Sequence, residues 1–253
     1  MQTLAYGSAP SQVGDLYLPA NARPAVVVLL HGGFWRAPYG RDELAPIATD
    51  LVARGYAVWN LEYRRVGEPG GGWPGTLSDV AEGIDHLAAL VDQGVALDLS
   101  RVVVAGHSAG GHLALWAAAK NRPSSAVTGP RRVRLRGAAG LAPVADLAQA
   151  HALHSGRDAV ATFLGGTPES HPARYAAADP HRLLPLGTHQ LLLHGTVDDV
   201  LPFTLTRDYA AAARAAGDEV EFVELADADH FAFTDLASPA HRVLCQRLAE
   251  LLH

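Results

Sequence analysis

The sequence has a single cysteine, Cys245, in 253 residues. No intrachain disulfide can form, so a reducing compartment suits the chain, and the thiol is expected to pack as a small apolar group in the last helix. No apolar run approaches the roughly 18 residues that a membrane-spanning helix requires. The first twenty residues, MQTLAYGSAPSQVGDLYLPA, carry neither the basic start nor the continuous apolar core of a secretory leader. A cytoplasmic protein without membrane contact is the expectation. Basic charge is not in excess either: the net charge is -6, which argues against the electropositive footprint of a nucleic-acid-binding protein. The thirteen histidines include no His-Glu-x-x-His pair, and no cysteine cluster accompanies them. Neither a metal nor an organic cofactor is therefore expected.

What is present is apolar material, 49% of the residues against 18% charged, enough for one core and one domain over residues 1–253. Short apolar runs alternate with longer amphipathic ones, the pattern of a mostly parallel sheet flanked by helices. Strands are predicted at 12–18, 25–30, 57–63, 101–105, 135–141, 189–195 and 219–225; several are apolar throughout, as strands covered on both faces should be. The stretch TLSDVAEGIDHLAALV puts Leu77, Val80, Ala81, Ile84, Leu87, Ala88 and Val91 on one helical face, with Thr76 and Asp79 spaced to cap its start. A second helix is predicted over TLTRDYAAAARAAG, stopped by Gly217. Residues 142–188 lack this periodicity and suggest an irregular excursion or a small helical lid.

The chemistry concentrates after strand ends. RVVVA, GHSAG and GHLALWAAAK form a strand, a tight turn and a helix, with Ser108 where free N–H groups and the helix dipole favour a developing negative charge. Taken alone, Ser108 could be only a helix cap. A serine nucleophile needs a histidine to take its proton and an acid to orient that histidine. The loop after 189–195 offers Asp198 and Asp199, and the loop after 219–225 offers His230. HGGFW at 31–35 follows the strand 25–30, and its glycines could turn main-chain N–H groups towards an oxyanion.

Together, HGGFW, GHSAGG, HGTVDDV and DADHF resemble the α/β-hydrolase superfamily in content and in Ser–Asp–His order, with most similarity to compact carboxylesterases and kynurenine formamidase (arylformamidase)-like hydrolases. The resemblance implies an α/β fold, a three-layer α/β/α sandwich around a mostly parallel sheet of about seven or eight strands. It implies Ser108 as nucleophile, His230 as base, and Asp198 rather than Asp199 as acid, because Asp198 fills the pattern from His194 to Pro202. It further implies the N–H groups of Gly33, Phe34 and Ala109 as the oxyanion hole. The chain departs from the lipase relatives in lacking a third glycine after His31 and in having little N-terminal length for a large cap. Trp35, Trp73 and Phe231 are candidate substrate-binding residues, which with Phe34 would suit an aryl or short apolar group. The expected partner is a small-molecule ester or N-formyl aryl amide; the oligomeric state is left open. An exopeptidase or amidase of the same fold, and a non-catalytic ligand-binding homologue, are the alternatives.

Overall fold

The computed structural model describes residues 1–20, 23–119 and 131–252. Eight strands form one sheet: β1 (Gln2–Ala5), β2 (Val13–Tyr17), β3 (Ala25–Leu30), β4 (Ala57–Leu61), β5 (Asp98–His107), β6 (Gly137–Leu141), β7 (His189–Gly195) and β8 (Val220–Leu225). Their spatial order is β1-β2-β4-β3-β5-β6-β7-β8. The β1–β2 and β2–β4 pairs are antiparallel, and every pair from β4 to β8 is parallel. The predicted α/β architecture is thus the observed one, with β1 added: four mostly exposed residues that become a strand by pairing with β2, a partner their own composition does not announce.

Strand β3, AVVVLL, is buried at all six positions, and its side chains divide by alternation. Val26, Val28 and Leu30 join one core cluster with α2 (Gly75–Asp92), α3 (Ala109–Ala119) and α7 (Phe203–Ala215). Ala25, Val27 and Leu29 join the other with α1 (Ala45–Ala53) and α8 (Pro239–Leu252). Period-two alternation in a strand covered on both faces leaves no solvated side, which is why the sequence shows no polar interruption there.

The predicted apolar stripe of α2 is buried from Leu77 to Ala88, whereas the predicted cap is not formed. Pro74 holds the N-cap position and Thr76 lies inside the helix. Asp79 is taken by Arg64, whose Nε and Nη2 lie 2.8 and 2.6 Å from its carboxylate, and by Gln12 Nε2 at 2.8 Å. A buried carboxylate with a guanidinium in reach gains more from that charge-assisted pair than from capping a helix. Helix α7 ends as expected, with Gly217 at φ 96° just beyond it.

Residues 142–188 fold into three short helices, α4 (Leu147–Ala152), α5 (Ala159–Leu164) and α6 (Pro172–Ala178), followed by a 3-10 turn at Pro180–Leu183. Asp146 caps α4 by accepting from Gln149 N at 2.8 Å. Asp179, pushed up to about 6 by burial and by the neighbouring Asp146 charge, accepts from Leu147 N and Ala148 N and ties the two ends of the segment together. Phe163 and Tyr175 anchor it in the core. Among the described residues no helix is long and apolar enough to cross a membrane.

Candidate active site

The candidate side chains sit on loops at the carboxyl ends of β3, β5, β7 and β8, where an open parallel sheet leaves a crevice. Ser108 occupies the one-residue turn between β5 and α3 with φ 54°, a left-handed conformation that costs a non-glycine residue about 1–3 kcal/mol. Its N–H donates to Leu141 O at 2.8 Å, and its carbonyl accepts from His112 N at 3.1 Å. Glycine is required on either side: a Cβ on Gly106 would stand 2.1 Å from Gly110 O, and one on Gly110 would stand 2.0 Å from Leu30 O. The turn is therefore clamped between β3 and α3, and Ser108 Oγ makes no hydrogen bond among the described residues.

The loops after β7 and β8 are drawn together at Gly195, where a Cβ would meet Ala228 O at 2.0 Å. Val197 N donates to the same carbonyl at 3.2 Å. This approach sets Asp198 Oδ2 at 2.6 Å from His230 Nδ1. The same oxygen lies 3.0 Å from His194 Nε2, while Oδ1 accepts from Val200 N and Leu201 N at 2.9 and 2.8 Å. Burial alone would raise the Asp198 pKa; the bonds from His194, His230 and the Leu201 N–H outweigh it and hold the carboxylate well below its usual range. Burial lowers the His230 pKa, with Asp198 opposing and the His107 and His194 sides assisting. Asp199, the neighbour weighed against Asp198, is exposed.

Ser108 and His230 open onto one cavity of about 470 Å³, which Gly33, Phe34, Tyr39 and Phe231 also line. A larger groove of about 800 Å³ runs beside the β8–α8 connection and contains none of Ser108, Asp198 and His230. In the loop after β3, Gly33, Phe34 and Trp35 have φ of 91°, 56° and 57°. The N–H groups of Gly33, Phe34 and Ala109 make no hydrogen bond among the described residues; Gly33 and Phe34 line the cavity, and Ala109 follows Ser108 directly.

Two expectations about the pocket need correction. Trp35 is fully buried, stacked on Phe163 at 4.6 Å between ring centroids with its Nε1 donating to His112 Nδ1 at 3.2 Å. Its left-handed backbone turns the ring into the core, where the indole N–H finds a partner. Trp73 also stays out of the cavity, packing half-buried against the core. The segment 142–188 contributes no residue to the lining of this cavity; it meets the site at Val144 N, which donates to Ser108 O at 3.3 Å, and at Gly156, beside the Phe34 ring. Phe231 does line the cavity, with 57% of its surface exposed.

Sequence reasoning did not anticipate Glu43 as a site residue, since it arrives from the 3-10 turn Arg41–Leu44. Its Oε1 lies 2.7 Å from His107 Nδ1 and its Oε2 accepts from Gly32 N at 3.1 Å. Nor did it anticipate a second cluster at the α1–α8 contact, where ligand atoms of Asp50, His241 and Cys245 lie within 4.8 Å of one another. Arg54 Nε, 2.7 Å from Asp50 Oδ2, already supplies that carboxylate with a cation. Cys245 is buried as expected, and burial pushes its thiol up to about 11.

The BD-FAE family model matches residues 14–212. Esterase LipQ of Mycobacterium tuberculosis is 27% identical over 93% of this chain and 56% of its own length. Kynurenine formamidase of Danio rerio is 32% identical over 111 residues, 43% of this chain and 35% of its own. The chain spans little more than half the length of LipQ and about a third of that of the formamidase. Among solved structures, a truncated carbohydrate esterase from gut microbiota matches 99% of this chain and 96% of its own with a TM-score of 0.85 and 20% identity. Esterase B from Lactobacillus rhamnosis, solved with an inhibitor, matches 99% of this chain and 87% of its own with a TM-score of 0.83 and 20% identity. At such identities the structural likeness establishes the α/β-hydrolase fold.

Proposed function

The chain belongs to the BD-FAE family, and from that premise we propose that it is a serine hydrolase cleaving a small carboxylic ester through an acyl-enzyme. The observation that carries the reading is the 2.6 Å contact of His230 Nδ1 with Asp198, beside Ser108 in one cavity. Ser108 Oγ attacks the carbonyl carbon while its proton passes to His230 Nε2. Asp198 accepts from His230 Nδ1–H, which keeps the tautomer that leaves Nε2 free as the base, and then stabilises the imidazolium. The tetrahedral oxyanion is held by the N–H groups of Gly33, Phe34 and Ala109, a type of contact in which one donor is worth about 10²–10³ in rate. Collapse expels the alcohol with the His230 proton, and water, deprotonated by the same histidine, releases the acid.

The similarity to LipQ and the aromatic rim of Phe34, Tyr39 and Phe231 support an ester with a short apolar or aryl group. The similarity to kynurenine formamidase favours a second reading in which the scissile bond is that of an N-formyl aryl amide. Steady-state hydrolysis of p-nitrophenyl acetate and butyrate beside N-formylkynurenine separates the two. The ester reading expects kcat/KM of about 10⁴ M⁻¹s⁻¹ or more on an ester and at least about tenfold less on the formamide. The reverse ranking replaces it with the formamidase reading.

A further inference from the structure

We infer that Glu43 and His107 are positioning residues: an imidazolium–carboxylate pair that ties three site loops together and sets a fixed positive charge beside the His230 ring. The inference rests on the serine-hydrolase reading for its consequence, but its foundation is a count of donors. His107 Nε2 lies 2.9 Å from the carbonyl oxygen of His230. A carbonyl only accepts, so this nitrogen carries a hydrogen. His107 Nδ1 lies 2.7 Å from Glu43 Oε1, and a lone pair facing an ionised carboxylate at that distance would be repulsive, so a proton lies between them as well. Glu43 Oε2 meanwhile accepts the N–H of Gly32. Burial would raise the Glu43 pKa, but the bond and charge of His107, the His31 charge and the Gly32 N–H outweigh it and lower it. With Nε2 donating to a carbonyl and the Glu43 carboxylate accepting at both oxygens, the donor count places the shared proton on His107.

The bridge joins three loops of the site through hydrogen bonds at both ends, beside the ring contact of His107 with Phe231 at 5.8 Å between centroids. Glu43 fixes Gly32, next to the proposed oxyanion donors; His107 adjoins Ser108; and the His230 carbonyl belongs to the base itself. Glu43 and His107 both line the cavity, and His107 is almost wholly buried.

The positive end of the pair is the end that faces His230, with ring centroids 4.7 Å apart. A like charge at this range disfavours a second imidazolium, so His230 remains neutral, and competent as a base, to lower pH. The other charged or titratable groups around His230 are Asp198 and His194. Around Glu43 they include Asp42 and Arg41 on the same turn, Tyr63 and His31, whose own Nε2 is engaged by Glu62 at 2.7 Å. His112, on the adjoining helix, shows the contrasting case. It accepts from Trp35 on Nδ1 and donates to Ala178 O from Nε2, holding one hydrogen, and burial takes it down to about 4.

Glu43→Gln separates charge from bracing. The amide can donate to His107 Nδ1 and accept from Gly32 N–H, preserving both bonds while removing the need for the extra proton. In imidazole ¹⁵N–¹H correlation spectra at pH 7.5, wild-type His107 is expected to show two protonated nitrogens and His112 one. In the Gln variant His107 should show one. The acid limb of kcat/KM for p-nitrophenyl butyrate should move upward by about one pH unit in that variant, a position read from the profile's shape and independent of its height. A singly protonated His107 in the wild type, or an acid limb that does not move, overturns the inference. The spectra report on His107 whether or not the ester is turned over, so failure of the serine-hydrolase reading is distinguished from failure of this one.

Discussion

Ser108→Ala is expected to lower kcat/KM on p-nitrophenyl butyrate by at least about 10⁴-fold while leaving the protein folded. The loss is large because the hydroxyl forms the covalent bond between enzyme and substrate on which the proposed scheme depends; what remains is the oxyanion pocket and binding, which by themselves supply a residual acceleration over water. Folding should survive because alanine retains the Cβ that the turn already accommodates at φ 54°, and because Ser108 Oγ makes no hydrogen bond among the described residues that could be lost. Steady-state rates and a thermal melt on the same preparation check both halves. Turnover within tenfold of wild type would remove Ser108 from the chemistry.

Asp198→Asn should be almost as severe, about 10⁴-fold in kcat. The amide can still accept from Val200 and Leu201 N–H through its oxygen, which then turns its NH₂ towards His230 Nδ1. That nitrogen must now accept, so the hydrogen moves to Nε2, the atom required to be the base. The loss should therefore fall on kcat, with KM moved far less. Asp199→Asn is the matched control: that side chain is exposed and forms no hydrogen bond or ion pair with His230 among the described residues, so kcat should stay within about twofold of wild type. Equal losses in the two variants would contradict the assignment.

The sequence made the sheet and the meeting of Asp198 with His230 legible because both depend on local signals. Apolar runs such as AVVVLL mark buried strands, and the loops that follow parallel strands gather at one edge of the sheet. Strand β1 was not legible, since Gln2–Ala5 owes its conformation to β2 rather than to its own composition. The same cause misplaced Thr76 and Asp79: the capping pattern is real as spacing, but Arg64 lies within reach only once the chain has folded. Trp35 was read from its position after two glycines, whereas the left-handed backbone that follows them turns its ring inward onto Phe163. Glu43 lies 64 residues from His107 in a segment with no periodic signal, so a bridge between them is a property of the tertiary structure alone. The contact of His194 with the Asp198 carboxylate was not legible either, since the motif gives spacing and not the direction of a side chain.

The central claim, an acyl-enzyme formed on Ser108, is tested most directly by incubating the protein with a small alkyl fluorophosphonate and mapping the adduct by intact and peptide mass spectrometry. The account predicts one phosphonyl group per chain, on the peptide carrying Ser108, abolished in Ser108→Ala and strongly slowed in Asp198→Asn. An unlabelled chain, or label on another residue that persists in Ser108→Ala, would contradict it.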